Sequence, residues 1–256
     1  MDTNKGRGAL ELAVGSVAGW AHRRAGRPNQ DAAQVVRVGA GAAIAVCDGC
    51  GSGRRSELGA TLGARLWTEV LAARLRAGAR LDDGALAAVA DEVLVRLAPV
   101  AAALGGELAL ATREHLLFTS VVAAISDDEI VVAAVGDGVV ALGDEVVVLG
   151  PFADNAPPYL TEAWFGAPRA LVTWRRGRDE IAQLVLATDG AVPLAGELDE
   201  LAALDVIYRN PVALERRLRL LADERVDLDW DAQRVTRHRA RLDDDTTAVF
   251  ARWGRR

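Results

Sequence analysis

Lysine is nearly absent from this chain: Lys5 stands alone, and almost all the positive charge is arginine. With a net charge of −6 and a pI near 5.2, the sequence lacks the basic excess that nucleic acid asks of a partner. Cysteine occurs twice and histidine three times in 256 residues. Cys47 and Cys50 spell C-x-x-C, but no second pair completes a zinc site, and the intervening Asp48-Gly49 is no start for a helix-borne redox motif. Cys47 lies in an apolar run and reads as a small core residue. No stretch reaches the roughly 18 apolar residues of a membrane span, and no N-terminal segment resembles a signal peptide. The expectation is a cytoplasmic chain with neither membrane nor nucleic acid as partner.

What the chain does have is apolar residues, 51% of the total against 26% charged, enough for an ample core. It has no internal repeat and no linker-like stretch, so residues 1–256 are expected to form one domain, with residues 1–10 frayed.

The sequence is organised around residues 44–60, IAVCDGCGSGRRSELGA. An apolar run short enough for a buried strand ends on Asp48-Gly49, passes a glycine-rich turn and opens into a helix that Ser52 or Ser56 can cap. A carboxylate on a rigid strand end beside an exposed carbonyl suits a hard cation, although Asp-Gly also closes many ordinary strands.

Taken in order, residues 12–20 read as a strand and residues 22–31 as a polar loop. Residues 35–38 form a short strand that turns at 39–41 into the Asp48 strand, a hairpin placing Asp31 near Asp48. Leu58, Leu62, Leu66, Val70 and Leu75 mark one amphipathic helix; Leu86, Val89, Val93 and Leu97 mark a second, capped by Asp82 or Asp83 and kinked or ended by Pro99. Residues 105–115 read as a connection. Strands follow at 118–125, 130–135, 139–142, 146–149 and 184–188, then helices at 197–204 and 212–222 and a closing strand at 246–253. Residues 150–168 carry four prolines and no regular pattern; Phe152, Tyr159, Trp164 and Phe165 offer a grip on a protein surface.

Asp31, Asp48, Asp137, Asp189 and Asp244 share one description, each beside the end of a predicted strand. Several carboxylates brought together repel unless cations hold them, and oxygen ligands without histidine or cysteine favour Mg²⁺ or Mn²⁺ over zinc. Spacing alone leaves open that these are unrelated turn aspartates.

Asn29-Gln30-Asp31, Val46-Cys47-Asp48-Gly49, Gly136-Asp137-Gly138, Ala187-Thr188-Asp189-Gly190 and Asp244-Asp245-Thr246-Thr247 resemble, in order and spacing, the motifs of the metal-dependent type 2C protein phosphatases, bacterial branch, across residues 14–250. The resemblance implies an α+β fold, a four-layer α/β/β/α sandwich of two antiparallel sheets flanked by helices. It implies that Asp48 bridges two metals with the Gly49 carbonyl as a further ligand, that Asp189 and Asp244 complete the first shell, and that Asp31 serves the second metal. Asp137 with Asp189 would hold a third ion, Asp154 or Asn155 could reach it, and residues 150–168 would be a flap-like insertion. The implied catalytic set is Asp31, Asp48, Asp189 and Asp244. The implied reaction is attack of a metal-bridging hydroxide on a phosphoserine or phosphothreonine of a protein, the product of a Ser/Thr kinase.

Two positions depart from the family. Cys50 stands where animal members carry a histidine after the Asp-Gly pair, and Gly26 where many carry a phosphate-binding arginine. Arg27, then Arg24 and His22, are the candidate phosphate ligands. A pseudophosphatase acting as a regulatory module and a small-molecule phosphatase are the alternatives left open.

Overall fold

The computed structural model describes residues 8–253, so most of the expected frayed N-terminus lies outside the described residues. Leu10 corrects that boundary: it is buried and opens the first strand.

The chain runs β1 (Leu10–Val17), α1 (Trp20–Ala25), β2 (Asp31–Val38), β3 (Gly41–Gly49), α2 (Glu57–Arg76), α3 (Asp83–Leu104) and α4 (Leu108–Ala111). It continues through β4 (Phe118–Ile125), β5 (Glu129–Val135), β6 (Gly138–Leu142), β7 (Glu145–Leu149), β8 (Val172–Gly177) and β9 (Gln183–Ala187). The last part holds α5 (Leu198–Ala203), α6 (Asp205–Arg209), α7 (Ala213–Ala222), β10 (Arg225–Asp229), β11 (Arg234–His238) and β12 (Thr246–Trp253).

One antiparallel sheet has the order β2-β3-β4-β5-β8, the other β1-β12-β9-β6-β7. Period-two alternation assigns the faces. On β3, Ala43, Ala45 and Cys47 meet Trp67, Leu71 and Val93 of the α2–α3 layer, while Ala42, Ile44 and Val46 face the second sheet. Val140, Leu184, Leu186 and Val249 supply the other half of that inter-sheet core, and Val139, Val185 and Phe250 turn outward to Leu201, Leu214 and Leu218 of the second helical layer. Both faces of the central strands are covered, which is why they read as continuous apolar runs. The result is the expected four-layer α/β/β/α sandwich.

Several local expectations are corrected. Residues 20–25 form a helix, ended by Gly26 in the left-handed region, where a polar loop was expected. Pro99 does not end α3, which runs on to Leu104; the bond it forgoes belongs to Val95 on an exposed face, where water can take it. Asp82 caps α3 by accepting from the Ala85 N–H at 2.9 Å. Ser56 holds the N-cap position of α2 without a side-chain cap bond, because its Oγ accepts the Gln30 amide at 2.7 Å. Residues 150–168 are not a free flap throughout: Leu160 and Thr161 are fully buried, and Trp164 packs on the α2–α3 core. Among the described residues, no single helix is long and apolar enough to cross a membrane.

Candidate active site

The site grows from the ends of the central strands. In the β2–β3 ladder Asp31 is the registered partner of Asp48, and in the β3–β4 ladder Asp48 is the partner of Thr119. Asn29 Oδ1 accepts from the Asp31 N–H at 3.0 Å and its amide donates to Ser16 Oγ at 2.8 Å, fixing where β2 begins. The Gly49 N–H donates to the Gln30 carbonyl at 3.1 Å. A Cβ at Gly49 would stand 2.6 Å from the Ser56 carbonyl oxygen and 2.8 Å from that of Gln30, so only glycine permits this approach. Gly190 is constrained likewise: its Cβ would lie 1.9 Å from the Asp245 carbonyl oxygen, where the fourth and fifth motifs cross.

Asp137, in the tight turn between β5 and β6, and Asp189, just past β9, arrive beside Asp48; carboxylate oxygens of the three lie within 4.8 Å of one another. They line a cleft of about 240 Å³ that Gly49, Asn155 and Asp244 also border. Asp31 lies beside Asp48 and beneath it, buried, with Oδ2 accepting from Thr188 Oγ1 at 2.7 Å. Asp154, unlike Asn155, is not among the residues lining the cleft.

These carboxylates are held in a state they resist. Burial, opposed by the Thr188 hydrogen bond, pushes Asp31 up to about 8. Asp48 is raised well above the usual range by burial and then by the charges of Asp31 and Asp189. Burial and Asp189 raise Asp137 to about 6, and burial and Asp244 raise Asp189. Asp31 Oδ1 and Asp137 Oδ1 are buried without a hydrogen-bond donor among the described residues. Oxygen atoms alone, mutually repelling and in part unsatisfied, are a donor set that fits hard divalent cations.

Asp244 and Asp245 divide their work. Asp244 is exposed at the cleft rim, whereas Asp245, its side chain only 2% exposed, accepts from the Gly19 N–H at 2.8 Å, the Gln30 N–H at 2.6 Å and His22 Nδ1 at 2.7 Å. With Nδ1–H donated there, His22 Nε2 points to the cleft, 3.7 Å from Asp244 Oδ1. The arginines stand further off. Arg24 stacks on Trp20 at 4.8 Å, and Arg27 donates to the Gly51 carbonyl at 2.6 Å; neither is among the cleft-lining residues. Cys50 lines the cleft with its Sγ 3.2 Å from Ser52 Oγ; against the effect of burial, hydrogen bonds with Ser52 and Tyr159 hold its thiol below the usual range. The sequence assigns no role to Asp245, Thr188 or Gln30, although all three stand inside the quoted motifs, and Tyr159, expected to grip a protein surface, instead lines the cleft.

A two-sheet sandwich with a cluster of carboxylates gathered at its strand ends has the donor set of a site for divalent cations. The model of the family described as protein phosphatase 2C matches residues 18–227, and the chain belongs to that family. Among solved structures it is similar to the serine/threonine phosphatase Stp1 from Staphylococcus aureus, with a TM-score of 0.62 at 15% identity over 98% of each chain. It is also similar to a bacterial serine phosphatase, with a TM-score of 0.59 at 16% identity over 96% of this chain and 99% of the other. A third is PppA, a regulatory component of the T6SS in Pseudomonas aeruginosa, with a TM-score of 0.54 at 17% identity over 98% of this chain and 100% of the other. These likenesses establish the fold. No curated protein matches the chain.

Proposed function

We propose that the chain removes phosphate from phosphoserine and phosphothreonine in proteins, the products of a Ser/Thr kinase, with two or three Mg²⁺ or Mn²⁺ ions held by Asp31, Asp48, the Gly49 carbonyl, Asp137, Asp189 and Asp244. The observation that carries this reading is the Asp48–Asp137–Asp189 cluster, whose oxygens lie within 4.8 Å of one another on a polar cleft. When bound, such ions supply an acidified water and neutralise charge on the phosphoryl group.

The chain's own groups supply position. Asp48 stands at the centre of the cluster on the rigid end of β3, and Asp31, tied to Thr188, backs it from the neighbouring strand. Asp137, Asp189 and Asp244 line the same cleft. His22, oriented by Asp245, is the cation-capable side chain that borders the cleft, and in its protonated form Nε2–H can hold a phosphoryl oxygen. Arg27 adds positive charge from the loop behind Gly51, and Arg24 contributes least.

The test is phosphate release with Mn²⁺ from a set of phosphothreonine peptides against a set of sugar and nucleotide monophosphates. The proposal expects higher kcat/KM on peptides; turnover confined to metabolites would assign a small-molecule phosphatase instead.

A further inference from the structure

Beside the cleft lies a second concavity of about 450 Å³ that shares Asp137, Asn155, Asp189 and Asp244 with it, so the two are continuous. Its character differs. Val148 and Leu149 at the end of β7, Pro151 just beyond, and Val192 and Pro193 in the turn after Asp189 form an aliphatic wall. Val148 and Val192 are each 40% exposed, two solvent-facing valines at the mouth of a polar site. Arg241 closes the far side with its guanidinium committed: it donates to Glu197 at 2.7 and 3.1 Å and to the Pro193 carbonyl at 3.2 Å. That charge is neutralised and braces the wall. At the near rim stand Asp243 and Asp244.

Building on the phosphatase reading above, we propose that this groove seats an aliphatic side chain of the substrate polypeptide, one or two positions from the phosphorylated residue. A residue whose phosphate reaches the carboxylate cluster must let its backbone leave the cleft, and the groove is the apolar exit that shares four walls with it. In an extended peptide, successive residues advance about 3.3 Å, so near neighbours of the phosphorylated residue fall within a cavity adjoining the cleft. Asp243, which the metal reading leaves free of any ion, repels an acidic side chain at that position, which a leucine or valine avoids. The specificity assigned is therefore aliphatic over acidic or small polar beside the phosphorylated residue, with Val148 and Val192 as the residues that set it.

The experiment uses synthetic phosphothreonine peptides of one sequence in which leucine, serine or aspartate is placed at each of the two positions on either side. Hydrolysis is followed with Mn²⁺, and binding of fluorescein-labelled versions is followed by anisotropy. At one position the wild-type chain should prefer leucine over serine by about tenfold in kcat/KM and in affinity, the order that a partly enclosed aliphatic pocket gives. Val148→Asp/Val192→Asp should remove that preference while leaving p-nitrophenyl phosphate hydrolysis and the melting temperature unchanged, and Val148→Leu should keep it. Equal handling of the three peptides at every position, or a preference that persists in the double variant, overturns the proposal. A parallel loss on p-nitrophenyl phosphate also overturns it, by assigning the groove to the leaving group of a small phosphomonoester. Failure of the phosphatase reading is distinct: no phosphate is released from any compound, and the anisotropy comparison still decides whether the groove selects leucine.

Discussion

Asp31 and Asp48 face each other as registered partners across the β2–β3 ladder, two acidic side chains at a position where like charges destabilise a sheet. Burial dominates the consequence, raising Asp31 to about 8 and Asp48 well above its usual range. The carboxylates are thus placed at a cost that bound cations offset.

That cost predicts an unusual pH dependence in chelator. Between 3.8, the ordinary value, and about 8, the folded protein holds a proton on Asp31 that the unfolded chain has released. The folded state binds more protons across this window, so stability is greatest at its acid end and falls as pH rises through it. Thermal melts in EDTA should decline by about 5 °C or more across the window, each kcal/mol being worth about 2–4 °C in a chain of this size. Asp31→Asn should flatten the slope, and Mn²⁺ should reverse the loss. A melting temperature that climbs with pH in EDTA contradicts this description.

Thr188 supports the site from behind. Its Oγ1 donates to Asp31 Oδ2 at 2.7 Å and accepts from the Thr247 N–H at 3.0 Å. Thr188→Val keeps the volume and strands both partners, so it should cost about 1–3 kcal/mol and weaken Mn²⁺ binding by about 10- to 100-fold. Thr188→Ser should recover most of both. Urea midpoints and calorimetric Mn²⁺ titration are the readouts; an unchanged affinity would reduce Thr188 to a packing residue.

The basic residues are expected to separate by location. His22→Ala should lower kcat/KM by about tenfold or more, the scale of one charge-assisted hydrogen bond, without changing Mn²⁺ affinity. Arg24→Ala, removing a side chain stacked on Trp20, should leave kcat/KM within about twofold. Arg27→Ala should fall between them. Equal effects for all three would point to a general field and not to a contact.

Within residues 150–168 burial decides tolerance. Leu160 is fully buried against the α2–α3 core, so Leu160→Ala should cost about 2–5 kcal/mol. Phe165 is 52% exposed, and Phe165→Ala should change stability by less than about 0.5 kcal/mol. Denaturant unfolding of the two variants side by side tests whether the segment is core or appendage.

How much of this was legible follows from what each residue signals locally. The strands that end at Asp48, Asp137 and Asp189 could be read because apolar runs broke at Asp-Gly or Gly-Asp; the short turn at 39–41 brought Asp31 near Asp48, but the strand was read only over 35–38, and its extension back to Asp31, which sets the two in register, was not. β8 was missed because VTWRRG is an edge strand with two arginines and no full apolar run, and β10–β11 because every residue of both strands is exposed. Helix α1 has six residues and no side-chain cap, so nothing in it announces a helix. The placement of His22 was out of reach for another reason: its partner Asp245 lies 223 residues away, and only closure of β12 against β1 brings them together.

The central claim is that the carboxylate cluster centred on Asp48 acts through divalent cations on a phosphomonoester. The most direct measurement is p-nitrophenyl phosphate hydrolysis by the chelator-stripped protein as Mn²⁺ is added back, with Asp48→Asn run alongside and its fold checked by circular dichroism. The expected result is a negligible rate without metal, a saturable rise with Mn²⁺, and a loss of more than about a hundredfold in the folded variant. A rate that is independent of Mn²⁺, or that Asp48→Asn leaves intact, would contradict it.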